Sequence, residues 1–171
     1  MADYSTNTNM PWYQYKDSVK AVVIGEGVTH IGNNAFNQHY FIESIDISST
    51  VVCIGSYAFS YIEQFEDDLI IPDSVNDIGD SAFRGCTQLA AVFIPDNITN
   101  ISQCSFYECT SLISIIIPNS VKSIGYRAFA YCENLEEAII RGDDVYVDTF
   151  CFANDYYLKR VVFLGFNILK P

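Results

Sequence analysis

The sequence predicts a repeat solenoid. In this fold a right-handed coil lays one parallel β-sheet along its concave side and short turns, 3₁₀ or helical segments along its convex side. Three observations carry the prediction. The phrase Ile-Gly-x-x-Ala-Phe stands intact at Ile31–Phe36, Ile54–Phe59, Ile78–Phe83 and Ile124–Phe129, with degraded copies at Ile101–Phe106 and Val147–Phe152. Its phenylalanines fall at 36, 59, 83, 106, 129 and 152, so the steps are 23, 24, 23, 23 and 23 residues. A β-rich apolar run precedes most copies, and several of these runs end at a proline, which cannot donate to a ladder and closes a strand. A fixed period of this length marks stacked units that bury their apolar faces only against their neighbours.

Three segments follow. Residues 1–18 read as an N-terminal cap, residues 19–164 as the solenoid of about six turns, and residues 165–171 as a truncated C-terminal end. The start Met1-Ala2-Asp3-Tyr4-Ser5-Thr6 lacks the basic start and apolar core of a signal peptide. No apolar run reaches the roughly 18 residues that a bilayer-spanning helix requires, so membrane insertion is not expected.

The turn that starts at Leu112 is the clearest. Ile115 and Ile117 point inward along an extended segment while Ile116 points out. Val121 and Ile124 send two further apolar side chains inward, Gly125 frees the backbone to bend, and Ala128-Phe129 drops a ring into the core. One such strand per turn, stacked at about 4.8 Å, gives seven parallel strands centred near Val23, Asp46, Ile70, Phe93, Ile116, Ile139 and Val162.

The extended form of the motif, Ile-Pro-x-Ser-Val-x-x-Ile-Gly-x-x-Ala-Phe-x-x-Cys-x-x-Leu, runs almost whole from Ile71 to Leu89 and from Ile117 to Leu135. In these residues the chain resembles the BspA-like leucine-rich-repeat family of bacterial and protozoan surface proteins. Asp3-Tyr4-Ser5 with Pro11-Trp12-Tyr13, followed by Val22-Val23-Ile24-Gly25, looks like the cap that precedes the first repeats of bacterial members. The resemblance implies a leucine-rich-repeat coil on a secreted or wall-attached protein used in adhesion or recognition. It implies no enzyme activity and no particular ligand.

Composition narrows the partners. A net charge of −12 argues against nucleic acid or an anionic membrane surface. Seven acidic residues and no base lie between Glu63 and Asp80, yet no ligand loop with regular spacing appears, so a solvated acidic face is expected there rather than a calcium site. Asn97-Ile98-Thr99 and Asn100-Ile101-Ser102 match the glycosylation acceptor pattern, which has meaning only in a secreted eukaryotic protein.

Cys86, Cys109 and Cys132 share one register position that His39, Ile62 and Asp155 fill in other turns. They read as reduced packing residues, because parallel Cβ directions do not favour a disulfide. Cys53, Cys104 and Cys151 fall at three other positions, and without a Cys-x-x-Cys pair neither a metal nor a cofactor is expected. With His30 and His39 as the only histidines and no nucleophile or phosphate-loop motif, the chain does not read as an enzyme. Tyr57 and Tyr126 read as sharing one outward position, and Tyr61 and Tyr131 another.

The candidate binding feature is the central outward column of the sheet: Val23, Asp46, Ile70, Phe93, Ile116, Ile139 and Val162. Six of its seven residues are apolar where a solvated face alternates to polar, while the neighbouring column of Ala21, Ser44, Asp68, Ala91, Ser114, Glu137 and Arg160 is small and polar. Two accounts are open. The stripe is either a partner surface or a set of β-branched residues that stabilise the sheet through neighbour contacts. The functional expectation is a non-catalytic extracellular recognition or adhesion module that binds a protein or glycan through the concave face. The alternatives are a structural spacer and a self-associating module that uses the stripe for a homodimer.

Overall fold

The computed structural model describes residues 1–165, and in it the chain winds as a coil with two strands in each turn rather than the one expected. A wide sheet is formed by β1 (Ala21–Ile24), β3 (Ser44–Ile47), β5 (Leu69–Ile70), β7 (Val92–Phe93), β9 (Ser114–Ile117), β11 (Glu137–Ile140) and β13 (Arg160–Phe163). A narrow sheet is formed by β2 (His30–Ile31), β4 (Cys53–Ile54), β6 (Asp77–Ile78), β8 (Asn100–Ile101), β10 (Ser123–Ile124) and β12 (Tyr146–Val147). Every pairing is parallel. The narrow strands leave no alternation in the sequence, because each is two residues long and sends one side chain inward. Ile31, Ile54, Ile78, Ile101 and Ile124 are five of those side chains and are buried, and Val147 of β12 is partly buried. The C-terminal end expected at 165–171 lies outside the described residues except for Gly165.

Neither sheet is continuous. The wide sheet pairs as β1-β3, β5-β7 and β9-β11-β13, and the narrow sheet as β2-β4-β6 and β8-β10-β12. The first interruption has a sequence cause. Phe65 fills the buried position of Leu89, 24 residues on, whereas Leu69 pairs with Val92, 23 residues on. The extra residue of the one long repeat therefore sits within Glu66-Asp67-Asp68, immediately before β5, and shifts its approach to β3.

The segments that follow the narrow strands, expected on the convex side, are turns, and among the described residues they contain no helix. The 3₁₀ helices among the described residues are Asn7–Asn9 and Tyr13–Tyr15, both in the N-terminal segment. Each turn instead holds two residues in the left-handed region: Asn34 and Gln38, then Tyr57 and Tyr61, Ser81 and Gly85, Cys104 and Glu108, Arg127 and Tyr131, Phe150 and Asn154. A non-glycine residue in this region costs about 1–2 kcal/mol. The conformation aims backbone donors at the next turn. Asn34, Phe36 and Gln38 donate to the carbonyls of Ser56, Ala58 and Ser60 at 2.8, 2.7 and 2.8 Å. The same triplet recurs from Tyr57, Phe59 and Tyr61, from Ser81, Phe83 and Gly85, and from Cys104, Phe106 and Glu108. Phe129 and Tyr131 carry it to Cys151 and Ala153.

Inside the coil the phenylalanines stack as one column. Successive ring centroids from Phe36 through Phe59, Phe83, Phe106 and Phe129 to Phe152 lie 5.5, 5.5, 5.6, 5.4 and 5.6 Å apart with nearly parallel planes. Ile42, Phe65, Leu89, Leu112 and Leu135 form a second buried column where the chain turns back toward the wide sheet. The N-terminal segment covers the first turn. Trp12 stacks on Phe36 and donates its indole N–H to the Ala35 carbonyl at 2.7 Å. The Asp3 carboxylate accepts the Asn33 N–H at 2.8 Å, as the Asn33 side-chain oxygen accepts the Ser56 N–H one turn on. The Met1 ammonium donates to the His30 carbonyl.

Candidate functional site on the wide sheet

The outward column is in register. Val23 pairs with Asp46, Ile70 with Phe93, and Ile139 with both Ile116 and Val162. Most of their inward neighbours are core: Val22 and Ile24, Leu69 and Ile71, Ile115 and Ile117, Ala138 and Ile140 are all buried, whereas Ile45 and Ile94 are partly buried and, in the last strand, Val161 and Phe163 beside Val162 are exposed. The strand alternation thus pushes the column into solvent. Val23 is 72% exposed, Ile70 69%, Phe93 57% and Ile116 44%. Asp46 is also exposed, whereas Ile139 and Val162 are partly covered. The column is not one unbroken ladder, since β3 does not pair with β5 nor β7 with β9.

The second of these gaps opens a cleft of about 440 Å³, lined by Phe93, Ile116, Pro95, Asp73, Asp96 and Arg141 among others. Phe93 and Ile116 are the two central members of the column, so the cleft floor belongs to the predicted stripe. The rim was not read from the sequence, although its signal is present. Ile71-Pro72-Asp73 and Ile94-Pro95-Asp96 repeat the same strand-closing tripeptide, and each places a carboxylate beside the stripe. The polar flank is tied up by ion pairs at its ends: Lys20 with Glu43 at 2.7 Å, Lys159 with Glu136 at 3.0 Å and Arg160 with Glu137 at 3.1 Å.

The cysteine column is packing, and it is also hydrogen-bonded. All six cysteines are free, and Cys86, Cys109 and Cys132 are buried. Their thiols donate to the carbonyls of Phe59, Phe83 and Phe106 one turn earlier at 3.3, 3.3 and 3.2 Å. Burial pushes the Cys86 thiol up to about 12 and those of Cys109 and Cys132 well above the usual range, so none is poised as a thiolate. His39, in the same column, is buried, which lowers its pKa, and its Nδ1 lies 3.3 Å from the Asn37 carbonyl. His30 is on β2 and meets the Asp3 carboxylate at 3.2 Å. Among the described residues no cluster of His, Cys, Asp or Glu is arranged to hold a metal ion.

One reading of the tyrosines is corrected. Tyr61 and Tyr131 do share a position, and both are left-handed, but Tyr57 aligns with Arg127 rather than with Tyr126. Tyr57 donates its N–H across the turn joint, whereas Tyr126 offers its carbonyl to Cys104. The two x positions of Ile-Gly-x-x-Ala-Phe are therefore distinct. The convex aromatics are largely engaged within the coil. The Arg84 guanidinium lies 4.6 Å from the Tyr107 centroid and 5.4 Å from that of Tyr61, and Arg127 lies 5.1 Å from Tyr126.

A family model described as BspA type Leucine rich repeat region matches in six copies over residues 6–102 and 64–169. The solved structure of a leucine rich cell surface protein from Faecalibacterium prausnitzii A2-165 is similar, with 22% identity and a TM-score of 0.56, over 86% of this chain and 60% of that one. The T. pallidum Leucine Rich Repeat protein is similar at 31% identity and a TM-score of 0.61, over 65% of this chain and 51% of that one. The first likeness is one of fold, and this chain spans only part of the length of either structure. No curated protein matches the chain.

Proposed function

Because the chain belongs to the BspA-type leucine-rich-repeat family, we propose that it is a non-catalytic recognition or adhesion module of an extracellular, cell-surface protein. It binds a partner protein through the outer face of the wide sheet. The observation that carries this reading is the register column in which Val23, Ile70, Phe93 and Ile116 stand exposed while their inward neighbours are buried, except the partly buried Ile94. Burying one such side chain in a complex is worth about 1.5–3 kcal/mol, so a few of them supply a specific contact. The cell-surface description of the F. prausnitzii structure supports the setting.

Large apolar or aromatic residues at the centre of a contact carry most of its energy, and Phe93 is both the largest and among the most central of the column. Changing Phe93 and Ile116 to Ser leaves the coil folded, because both side chains point away from the core, and abolishes partner capture from host-cell surface extracts. Circular dichroism checks the fold and sedimentation checks mass. A parent that is monomeric and captures nothing favours the spacer. A parent whose mass rises with concentration, and falls in the variant, favours the homodimer. Capture that is lost after glycosidase treatment of the extract favours a glycan.

A further inference from the structure

We propose that the cleft between β7 and β9 receives a lysine or arginine side chain of the partner protein. The stem lies on Phe93 and Ile116, and the charged head sits at Asp73 and Asp96. The inference rests on the reading of the wide sheet as a partner surface and deepens it by naming the partner's chemistry: an exposed basic residue set among apolar ones.

Four observations carry it. Asp73 and Asp96 occupy equivalent positions on successive turns and line one cleft with Phe93 and Ile116. Both carboxylates are exposed, and neither takes part in any side-chain hydrogen bond or ion pair. Elsewhere on this face the cations are paired within the chain: Lys20 with Glu43, Lys159 with Glu136 and Arg160 with Glu137. The chain as a whole holds 21 acidic residues against nine basic ones, so its field draws a cationic surface and repels an anionic one.

The apolar floor then decides which cation fits. A hydrated metal ion gains nothing from Phe93, whereas a lysine or arginine stem buries its methylenes on such a floor and keeps its head in the polar rim. An arginine or lysine head over the Phe93 face also gains a cation–π contact. Arg141 lines the cleft from two turns further along than Asp96, which makes the cleft bipolar and fixes the direction in which a basic segment lies. A second copy of this chain, with 21 acidic residues against nine basic ones, is repelled as a whole, so a basic partner protein fits the cleft better.

The test uses the folded chain and three short labelled peptides in which Leu alternates with Lys, Gln or Glu, read by fluorescence anisotropy. The Lys peptide binds, the Gln peptide binds at least tenfold more weakly, and the Glu peptide does not bind. Affinity for the Lys peptide falls as salt rises past the Debye regime of about 0.1 M. Asp73→Asn with Asp96→Asn removes the advantage of Lys over Gln, whereas Glu63→Gln with Glu133→Gln, the same change in charge away from the cleft, leaves it. Equal binding of the Lys and Gln peptides overturns the proposal, as does failure of the Lys peptide to bind at about 1 mM. An equal loss from both neutralised pairs overturns it too, because the effect would then be net charge alone. If Phe93→Ser with Ile116→Ser abolishes partner capture while the Asp73 and Asp96 changes do nothing, the wide-sheet reading stands and the cationic one falls. If the serine pair does nothing, the wide-sheet reading itself falls.

Discussion

Trp12 lies 5.6 Å from Phe36, centroid to centroid, with the two ring planes 25° apart. This makes a residue of the N-terminal segment the first member of the ring column that runs through every turn. The column is thus closed at its N-terminal end by a side chain from outside the repeat.

Removing a ring therefore costs different amounts at different heights. Phe106 is fully buried between two rings, and Phe106→Ala is expected to lose about 3–5 kcal/mol. Trp12 is half exposed, and Trp12→Ala is expected to lose about 2 kcal/mol. Reversible denaturant titration of both variants checks the order. A Phe106→Ala loss below about 1 kcal/mol would show that the column is not the core.

Thiol reactivity follows burial. Six free thiols are expected under denaturing, non-reducing conditions. In the native protein only Cys53 and Cys104, both half-buried, should react with a maleimide over the time in which Cys86, Cys109, Cys132 and Cys151 stay silent. Mass spectrometry after timed labelling decides it, and rapid labelling of Cys109 would mean that the column opens.

Asp155 gives the fold a pH dependence. It occupies the cysteine column and accepts the Cys132 N–H at 2.9 Å, and burial pushes its carboxyl up to about 7. An unfolded aspartate titrates near ~3.9. The folded state therefore holds the proton more tightly than the unfolded one. Its contribution is fully present below pH ~4 and is lost as pH rises through about 7. Asp155→Asn keeps the acceptor and removes the charge. It is expected to raise the thermal midpoint relative to the parent at about pH 8 and to leave it unchanged near pH 4. Equal midpoints at the higher pH would show that Asp155 ionises without penalty.

Gly85 is a matched case in packing. It takes φ +71°, but other turns place Tyr61, Glu108 and Tyr131 at the same position with similar φ, so backbone freedom is not its reason. A Cβ there would stand 2.5 Å from the Tyr61 ring. Gly85→Ala is expected to cost about 1–3 kcal/mol, and the loss should shrink in a Tyr61→Ala background. Additive losses in the double-mutant cycle would separate the two residues.

The fold was largely legible because the repeat states each position six times. A residue misplaced in one copy is corrected by the other copies, and so the ring column, the inward isoleucines and the cysteine column could be placed by spacing alone. What escaped has short range or no period. The two-residue strands His30–Ile31 to Tyr146–Val147 are too brief to alternate. The left-handed residues Asn34, Tyr57, Ser81, Cys104, Arg127 and Phe150 share no side-chain type, and in the first four what the position supplies is a backbone donor aimed at the next turn. At the candidate site the floor of Phe93 and Ile116 was visible from alternation. Its rim of Asp73, Asp96 and Arg141 depends on a gap between β7 and β9 that no pattern announces.

The interruptions of the two sheets fall at different heights. The wide sheet breaks between the second and third turns and again between the fourth and fifth, while the narrow sheet breaks between the third and fourth. The convex ladder of Asn34, Tyr57, Ser81, Cys104 and their partners crosses all of these joints. The turns are therefore laid like courses of brick with offset seams. No plane between turns meets more than one of these interruptions, so the stack has no natural cleavage plane, and a wedge driven into the β7/β9 gap is resisted from the two other sides.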